Sequence, residues 1–362
     1  MQAVMAFSGG MDSTSLLLRL LADGYEVSCL SYEYGQKHNV ELERAKANIS
    51  YLKLNGIEVE HKIADLSSAM SIFHSALTDE NIEIPEGHYE AEQMKSTVVP
   101  NRNAIFSSIL YGYGLSVALK SGENVIIALG VHSGDHAIYP DCRPEFYESI
   151  GKSFALGNWE SESVSFHLPY IDGSKETILR DALDACEILK LDFDTVFSNT
   201  NTSYNPDKEG RSSGTSGADI ERILAFHAIG RADPVEYVTT WDDVLEGALK
   251  AELRHHVMKE SGTERAFTGE YDKHFEVGTY YCYDCGKPLF DSTSKFDSGC
   301  GWPAFNSELV DANIAKSTDN SHGMSRIELR CSQCDSHLGH LFQENRGLRY
   351  CINSVCLDFK EN

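Results

Sequence analysis

The chain lacks a long apolar run and a cleavable signal segment, and it has few basic residues for its length. Its 362 residues contain 31 lysines and arginines against 55 aspartates and glutamates, a formal net charge of −24. Such a surface repels phosphate backbones, so we expect no direct binding to nucleic acid. Without an apolar segment of about 20 residues we expect no membrane span, and we predict a cytoplasmic protein.

The 10 cysteines are not arranged like the disulfide framework of a small secreted protein. Cys282 and Cys285 form one Cys-x-x-Cys pair, and Cys331 and Cys334 form another. This spacing is typical of a tetrahedral zinc site, and four thiolate ligands leave no coordination position open for catalysis. The two pairs therefore predict one structural zinc ion near the end of the chain.

Residues 6–14 read Ala-Phe-Ser-Gly-Gly-Met-Asp-Ser-Thr, between an apolar run and a Leu-rich helical stretch. Glycines let the backbone approach a pyrophosphate closely, and the amides at a helix N-terminus attract an anion. The spacing is not that of a Walker loop, and a glycine-rich turn without a ligand is the alternative. The residues predicted to contact a nucleotide are Phe7, Ser8, Gly9, Gly10, Asp12, Ser13 and Thr14.

Short β-rich runs, the first at Ala3–Phe7, alternate with helical stretches through the first part of the chain, and further helices are predicted near Lys175–Leu189, Ala218–Ile229 and Trp241–Lys250. This order predicts an α/β fold with a doubly wound, largely parallel sheet, whose ligands bind at the carboxyl ends of the strands. The polar stretch 78–97 is interpreted as a lid or a disordered loop. We predict that the α/β domain covers residues 1–250, that a charged linker covers 251–262, and that a small β-rich, zinc-containing domain covers 263–362.

Three further polar segments follow predicted strands or open predicted helices, which puts them at the carboxyl edge of the sheet. They contain Lys37, Arg102 and the run Asp141-Cys-Arg-Pro-Glu145. The loop at residues 8–13 resembles the Ser-Gly-Gly-x-Asp-Ser loop of the ATP pyrophosphatases, and residues 1–250 as a whole resemble the 7-cyano-7-deazaguanine synthase family of queuosine biosynthesis. The resemblance implies that 7-carboxy-7-deazaguanine is adenylated by ATP with Mg²⁺, aminated by ammonia, and dehydrated to the nitrile with further ATP.

The polar side chains suit this chemistry, because a carboxylate becomes electrophilic only when one oxygen joins a phosphoanhydride leaving group. Asp12 is the candidate carboxylate for binding Mg²⁺ or for lying beside the pyrophosphate. Lys37 and Arg102 are candidates for neutralising the charge of the phosphates or of the substrate carboxylate. The residues that the resemblance puts near the deazaguanine are Asp141, Arg143 and Glu145. The alternatives for these three are an ion pair between the last two and a helix cap by the first.

The chain departs from the family at a four-cysteine zinc site. The positions that align with its ligands are Ser203, Ser213, Ser216 and Asp219. Hydroxyls are poor zinc ligands at neutral pH, so we expect no metal there and a 213–217 loop that is flexible or tied by local hydrogen bonds. Two alternative functions stay open: ligation of the activated deazaguanine to a protein amine, as proposed for divergent relatives in antiviral operons, and a nucleotide-binding scaffold without catalysis.

The last hundred residues contain a second set of reactive side chains. Arg349 lies two residues before Cys351, where its charge can lower the thiol pKa, and His337 and His340 are spaced to aim at one point. With the Gly-Thr-Glu-Arg-Ala-Phe-Thr-Gly run at 262–269 and the Cys-Gly-Trp-Pro run at 300–303, the segment resembles the methionine-(R)-sulfoxide reductases over their whole length.

The resemblance implies that Cys351 attacks the sulfoxide of oxidised methionine and becomes a sulfenic acid. Cys300 then forms a disulfide with it, which thioredoxin reduces, and Trp302 supplies an apolar wall for the methyl group. The residues implied to position and protonate the sulfoxide oxygen are His337, His340 and Asn353. Cys356 is either an alternative resolving thiol or a strand residue, and His322 is either structural or part of the site. The oligomeric state, monomer or homodimer, stays open.

Overall fold

The structure is a computed structural model that describes residues 1–37, 40–79, 81–85, 92–203, 206–345 and 347–361. The chain forms two compact units, Met1–Ala248 and Leu249–Asn362. Part of the predicted lid, residues 80 and 86–91, lies outside the described residues, and so does the side chain of His322. Within the described residues no helix combines the length and the apolar character needed to cross a membrane.

The first unit is built on five parallel strands in the order β3-β2-β1-β4-β5. The strands are β1 Gln2–Ala6, β2 Glu26–Glu33, β3 Glu60–Asp65, β4 Val125–Ala128 and β5 Val164–His167. The order reverses beside β1, because the chain moves outward to β3 on one side and returns to β4 on the other. The predicted parallel α/β fold is confirmed, and the reversal creates a crevice at the carboxyl ends of β1 and β4.

Helices cover both faces of this sheet. They are α1 Met11–Ala22, α2 Val40–Leu54, α3 Ser67–Met70, α4 Arg102–Ser121, α5 Pro144–Gly157, α6 Lys175–Leu189, α7 Phe193–Ser198 and α8 Gly217–Ala228. Side chains alternate along β1, so Ala3 and Met5 join the core with α1, α6 and α8, while Val4 joins the core with α4 and α5. Burial on both sides explains why the strand is a continuous apolar run.

The second unit is β-rich, as predicted. Its strands are β6 Gly278–Cys282, β7 Pro288–Asp291, β8 Lys295–Phe296, β9 Ala304–Phe305, β10 Ala315–Asp319, β11 Arg326–Arg330, β12 His337–Glu344, β13 Gly347–Ile352 and β14 Leu357–Glu361. They form a six-stranded sheet, β10-β11-β12-β13-β9-β8, and a three-stranded sheet, β14-β6-β7. Helix α9 spans Trp241–Glu260, so most of the predicted linker is helical, and Val257 and Met258 lie in the core of this unit.

Candidate active sites

The loop between β1 and α1 has a shape that requires glycine. Gly9 has φ +85°, and a Cβ there would lie 2.2 Å from the backbone oxygen of Glu41. Inside the loop the Ser13 hydroxyl donates to the Gly10 carbonyl at 3.2 Å, and the Ser8 and Ser13 hydroxyl oxygens are 3.0 Å apart. Gly10 is the N-cap of α1 and offers no side-chain cap, so the first amides of the helix are open to an anion.

Asp12, in the first turn of α1, belongs to a cluster of charged side chains. Lys175 Nζ lies 2.9 Å from Asp12 Oδ2 and 3.3 Å from Glu221 Oε2, and His132 Nε2 lies 3.8 Å from Asp12 Oδ2. Burial is the largest single influence and would raise the pKa of Asp12, but the neighbouring cationic groups, Lys175 first and then His132, together outweigh it and lower that pKa. Asp12 Oδ1 is buried without a hydrogen-bond partner among the described residues. An ionised carboxylate with one uncommitted oxygen suits Mg²⁺.

Sequence reasoning missed Lys175, His132 and Glu221. Lys175 is the first residue of α6 and is only 6% exposed. A cation at a helix N-terminus opposes the helix dipole, and a buried cation needs acidic partners. A lysine directly after Ser174, the N-cap of a helix, was therefore a signal that could have been recognised in the sequence.

A cavity of about 260 Å³ at the carboxyl ends of β1 and β4 is lined by the glycine loop together with Asp12, Lys37, Arg102 and Lys175. Lys37 Nζ donates to the carbonyl oxygen of Ile82 at 2.5 Å. The Arg102 guanidinium carbon lies 5.9 Å from the centre of the Tyr139 ring. The predicted cationic residues thus lie in one cavity with the glycine loop.

Glu41 also lines this cavity, and sequence reasoning did not single it out. Burial raises the pKa of Glu41 to about 7, although Arg102 acts in the opposite direction. A carboxyl group with that pKa exchanges protons near neutral pH.

The three predicted deazaguanine contacts lie beside the cavity rather than in its described lining, which contains Tyr139 and Cys142 of the same segment. Asp141 Oδ2 accepts from the Asn103 amide at 3.2 Å, in the first turn of α4. This contact corresponds to the helix-cap alternative. Arg143 and Glu145 are exposed, and Arg143 Nε donates to the carbonyl oxygen of His136 at 2.8 Å.

The four positions that align with the family's zinc ligands lie together. The hydroxyls of Ser203, Ser213 and Ser216 donate to Asp219 Oδ2 at 3.0, 2.9 and 2.9 Å. This set contains no thiolate, and its three hydroxyl hydrogens are used on the carboxylate, so it does not fit zinc. Of the two states predicted for the 213–217 loop, the structure has the one tied by local hydrogen bonds.

The second unit has a cluster of a different kind. The sulfurs of Cys282, Cys285, Cys331 and Cys334 all lie within 4.8 Å of one another. The Sγ–Sγ distance is 3.7 Å for Cys282 and Cys334, and 3.5 Å for Cys285 and Cys331. Tetrahedral zinc with Zn–S bonds of about 2.3 Å separates its sulfurs by roughly 3.8 Å. These two distances are close to that value, so the cluster fits one zinc ion.

Cys351, in β13, lies close to Cys300, in the turn before β9. Their sulfur atoms are 3.8 Å apart. We expected Arg349 to lower the thiol pKa, and its charge does act in that direction. Burial outweighs it, with a further contribution from Cys300, and raises the pKa of Cys351 to about 12. The charge of Arg349 thus acts in the expected direction but does not decide the net shift, because burial of the sulfur, which the sequence does not reveal, has the larger effect.

The two histidines of β12 each face a carboxylate. His340 lies directly opposite Cys351 in the β12–β13 pair, and His340 Nε2 is 2.9 Å from Asp319 Oδ2. His337 Nδ1 is 2.8 Å from Glu328 Oε1, and burial lowers the pKa of His337 despite this partner. Among the described residues His337 Nε2 is buried without a hydrogen-bond partner, which leaves it for a substrate.

Asn353 and Trp302 meet at Glu264, which sequence reasoning noted only as part of a motif. Asn353 Oδ1 accepts from the Glu264 amide at 3.0 Å, and Asn353 Nδ2 donates to the Leu338 carbonyl at 3.2 Å. Trp302 Nε1 donates to the Glu264 carbonyl at 3.1 Å. Both ends of the Asn353 amide therefore already have partners in the protein. Cys356 is fully buried, and its Sγ lies 3.3 Å from the His337 carbonyl oxygen.

Comparison with known proteins assigns the two units to two families. The model of the family described as queuosine biosynthesis protein QueC matches residues 2–230, and that of the SelR domain matches residues 250–361. A protein named 7-cyano-7-deazaguanine synthase 2, from Colwellia psychrerythraea, is 42% identical over 235 residues, which are 65% of this chain and 97% of that protein.

Similar proteins occur in two further organisms. A 7-cyano-7-deazaguanine synthase from Caldicellulosiruptor saccharolyticus is 42% identical over 237 residues, 66% of this chain and 96% of its own. A 7-cyano-7-deazaguanine synthase from Methanoregula boonei is 40% identical over 237 residues, which are 66% of this chain and 99% of that protein. The chain thus spans nearly the whole length of these relatives and continues beyond them into the SelR domain.

Proposed function

The chain belongs to the QueC family and carries a SelR domain, the methionine sulfoxide reductase type, and on that premise we propose that it catalyses two reactions. The first converts 7-carboxy-7-deazaguanine, ATP and ammonia into 7-cyano-7-deazaguanine. The second reduces methionine-R-sulfoxide in peptides with electrons from thioredoxin. Both reactions suit a reducing compartment such as the cytoplasm, where thioredoxin is available and zinc-binding thiols stay reduced.

The observation that supports the first reaction best is the meeting of the glycine loop with Asp12, Lys37, Arg102 and Lys175 in one cavity. The close approach at Gly9 and the uncapped start of α1 suit the phosphates of ATP. Asp12 would hold the accompanying Mg²⁺, which neutralises phosphate charge when bound. The three cationic side chains are suited to hold the phosphates and the substrate carboxylate as charge moves to the leaving group.

Amination requires a proton acceptor, because ammonia that attacks an activated carboxylate must lose a proton. Glu41 lines the cavity and has a pKa that burial raises to about 7, so it is suited to accept that proton at neutral pH. We therefore assign Glu41 to proton transfer. The deazaguanine contacts Asp141, Arg143 and Glu145 stay a prediction, with the cavity residues Tyr139 and Cys142 as neighbours that would lie closer to a bound ligand.

For the second reaction the supporting observation is the 3.8 Å distance between the Cys351 and Cys300 sulfurs. Cys351 attacks the sulfoxide sulfur, takes up its oxygen as a sulfenic acid, and releases methionine. His337 and His340 are suited to supply the proton to that oxygen, since a carboxylate partner orients each imidazole and His337 Nε2 has no hydrogen-bond partner among the described residues. The Cys300 thiol then displaces water from the sulfenic acid, and thioredoxin reduces the resulting disulfide.

The remaining residues have supporting roles in this proposal. Trp302 forms an apolar wall, and Asn353 holds the site together through its two hydrogen bonds. Cys356 is a structural residue, because burial raises its pKa well above the ordinary range and its sulfur contacts a carbonyl. It lies in the short 3-10 turn directly before β14 rather than in a strand. Cys282, Cys285, Cys331 and Cys334 would hold one structural zinc ion.

Mass spectrometry of products tests the first reaction. The purified chain is incubated with ATP, Mg²⁺, 7-carboxy-7-deazaguanine and ammonium, and we expect AMP, pyrophosphate and the nitrile. Asp12→Asn should abolish pyrophosphate release, while Asp23→Asn, at the other end of α1, should not. Pyrophosphate release without the nitrile would indicate another acceptor, such as a protein amine. An absence of nucleotide turnover would indicate a nucleotide-binding scaffold.

A further inference from the structure

One buried carboxylate collects hydrogen bonds from three parts of the first unit. Asp219 is 0% exposed, and its Oδ2 accepts from Ser203, Ser213 and Ser216 and also from the Gly214 amide at 3.2 Å. Ser216 is the N-cap of α8, and its Oγ also accepts from the Asp219 amide at 3.2 Å. A helix cap needs only that last serine. The bond to Ser203, which lies 16 residues away in sequence, extends the arrangement beyond local capping.

A second buried charge of α8 holds the same distant segment. Arg222 Nη1 donates to the hydroxyls of Thr200 and Thr202 at 2.8 and 3.0 Å. Its other guanidinium nitrogens bond to Asp233 at 2.5 and 2.8 Å, which balances the charge. Residues 200–203 are thus attached to α8 by Arg222 at two threonines and by Asp219 at Ser203.

The attached segment is a wall of the nucleotide cavity. Asn201, Thr202 and Ser203 line the cavity, and the Asn201 amide donates to the Gly9 carbonyl oxygen at 3.1 Å. Asn201 Nδ2 also donates to the Ser203 carbonyl oxygen at 3.0 Å, so movement of Ser203 is transmitted to Asn201. A shift of this segment would change the support behind the glycine loop, where Gly9 has φ +85°.

We propose that Asp219 is a positioning residue that fastens residues 200–203 and 213–216 to α8 and so holds the glycine loop in its ATP-binding shape, without a metal ion. The inference rests on the proposed ATP chemistry of the first unit. Four N–H and O–H groups converge on Asp219 Oδ2 and replace the water that this oxygen would bind if exposed, while Oδ1 is buried without a hydrogen-bond partner among the described residues. Burial raises the pKa of Asp219, and the serine hydroxyls oppose that rise by stabilising the ionised form.

Binding of α,β-methylene-ATP to the full chain, measured by calorimetry with Mg²⁺, tests this inference. Asp219→Asn keeps the size of the side chain and one acceptor oxygen for the four donors, but it removes the negative charge. We expect it to weaken binding about tenfold or more, because the hydrogen bonds to Oδ2 are then no longer strengthened by a charge. Ser203→Ala removes only the bond between Asp219 and the cavity segment, so it should weaken binding by a smaller factor. This variant still tests the inference if Asp219→Asn does not fold.

Asp207→Asn is the matched control. Among the described residues the Asp207 side chain bonds within its own turn, to the amides of Glu209 and Arg211 at 3.0 and 2.8 Å and to the Arg211 side chain. We expect its affinity for the nucleotide to stay within about twofold of the unchanged chain, as for surface substitutions in general. Equal affinity in Ser203→Ala, Asp207→Asn and the unchanged chain would overturn the positioning role.

Treatment with a zinc-selective chelator shows whether Asp219 and its hydrogen bonds, or instead a bound zinc ion, hold these segments in place. We expect nucleotide affinity of the unchanged chain to survive chelation, and a loss of affinity that zinc restores would overturn the inference. Failure of the unchanged chain to bind the nucleotide under any condition would instead reject the proposed ATP chemistry, and the inference with it.

Discussion

The two four-residue clusters of this chain join separate segments by different chemistry. In the second unit, four thiols from two Cys-x-x-Cys pairs lie within 4.8 Å of one another. In the first, three serine hydroxyls converge on one oxygen of Asp219. Thiolates repel one another unless a cation lies between them, whereas a carboxylate attracts hydroxyl donors directly. The comparison shows that a carboxylate and its donors can connect segments at positions where relatives are expected to use a metal.

The two clusters differ in the free energy that they can contribute to folding, and this difference agrees with the different sizes of the two units. Zinc binding to a structural cysteine site contributes about 10–16 kcal/mol, whereas a hydrogen bond to a charged group contributes roughly 1.5–3 kcal/mol. The first unit has cores on both faces of its sheet, and the second has a single core. We therefore expect the second unit to depend on its cluster for folding and the first to use its cluster for local positioning.

Replacing the proposed nucleophile should have the largest effect, and it separates the catalytic thiols from the metal thiols. Cys351→Ser should abolish reduction of methionine-R-sulfoxide, because serine cannot form the sulfenic acid. Zinc content, measured by elemental analysis, should not change. Residual turnover with thioredoxin would rule out this assignment.

Cys300→Ser is the matched control for that variant. It should still reduce one equivalent of sulfoxide in a single turnover but fail to cycle with thioredoxin, because no disulfide can form with Cys351. Normal cycling would show that another thiol, such as Cys356, resolves the sulfenic acid.

Metal removal should have the next largest effect and should distinguish the two clusters directly. Chelation of zinc should unfold the second unit first, because the metal-binding energy of a small domain is largely its folding energy. Calorimetry should show the thermal transition of the second unit lowered or lost and that of the first unit unchanged. If chelation lowered the transition temperature of the first unit and zinc restored it, the first unit would also contain a zinc site, and the two clusters would not differ in this way.

The smallest expected effect concerns the resting state of Cys351. Burial raises its pKa to about 12, so the thiolate fraction below that pH should rise tenfold per pH unit. Alkylation of the Cys351 peptide by iodoacetamide, followed by mass spectrometry, should increase in that way from pH 7 to pH 9. Cys356, fully buried, should stay unlabelled. A plateau below pH 8 would mean that Arg349 stabilises the thiolate more than burial opposes it.

The fold was largely predictable from the sequence, because its signals are local. The helix predicted at Lys175–Leu189 has those bounds in the structure, and β1 lies within one residue of the predicted Ala3–Phe7. Helix α9 extends ten residues beyond its predicted end at Lys250. Its continuation depends on the burial of Val257 and Met258 in the second core, a tertiary contact that the charged sequence around them concealed.

The sites were predictable in location and less so in detail. The sequence motifs indicated the glycine loop and the cysteine pairs, since both have fixed spacings. Lys175 and Glu221 lie 46 residues apart and come together with Asp12 through the packing of α6 against α1 and of α8 against α6, which no local pattern reveals. The net pKa of Cys351 could not be predicted for the same reason, because charge is visible in a sequence and burial depth is not.

We expect the cysteine cluster to bind zinc and the Asp219 cluster not to, and a count of bound zinc ions distinguishes the two. The full chain is produced in zinc-supplemented medium, purified and measured by elemental analysis, beside a Cys282→Ser, Cys285→Ser double variant. We predict one zinc ion per unchanged chain and none in the variant. Two ions per chain, or one that remains in the variant, would contradict it, because the second ion would have to lie outside the cysteine cluster.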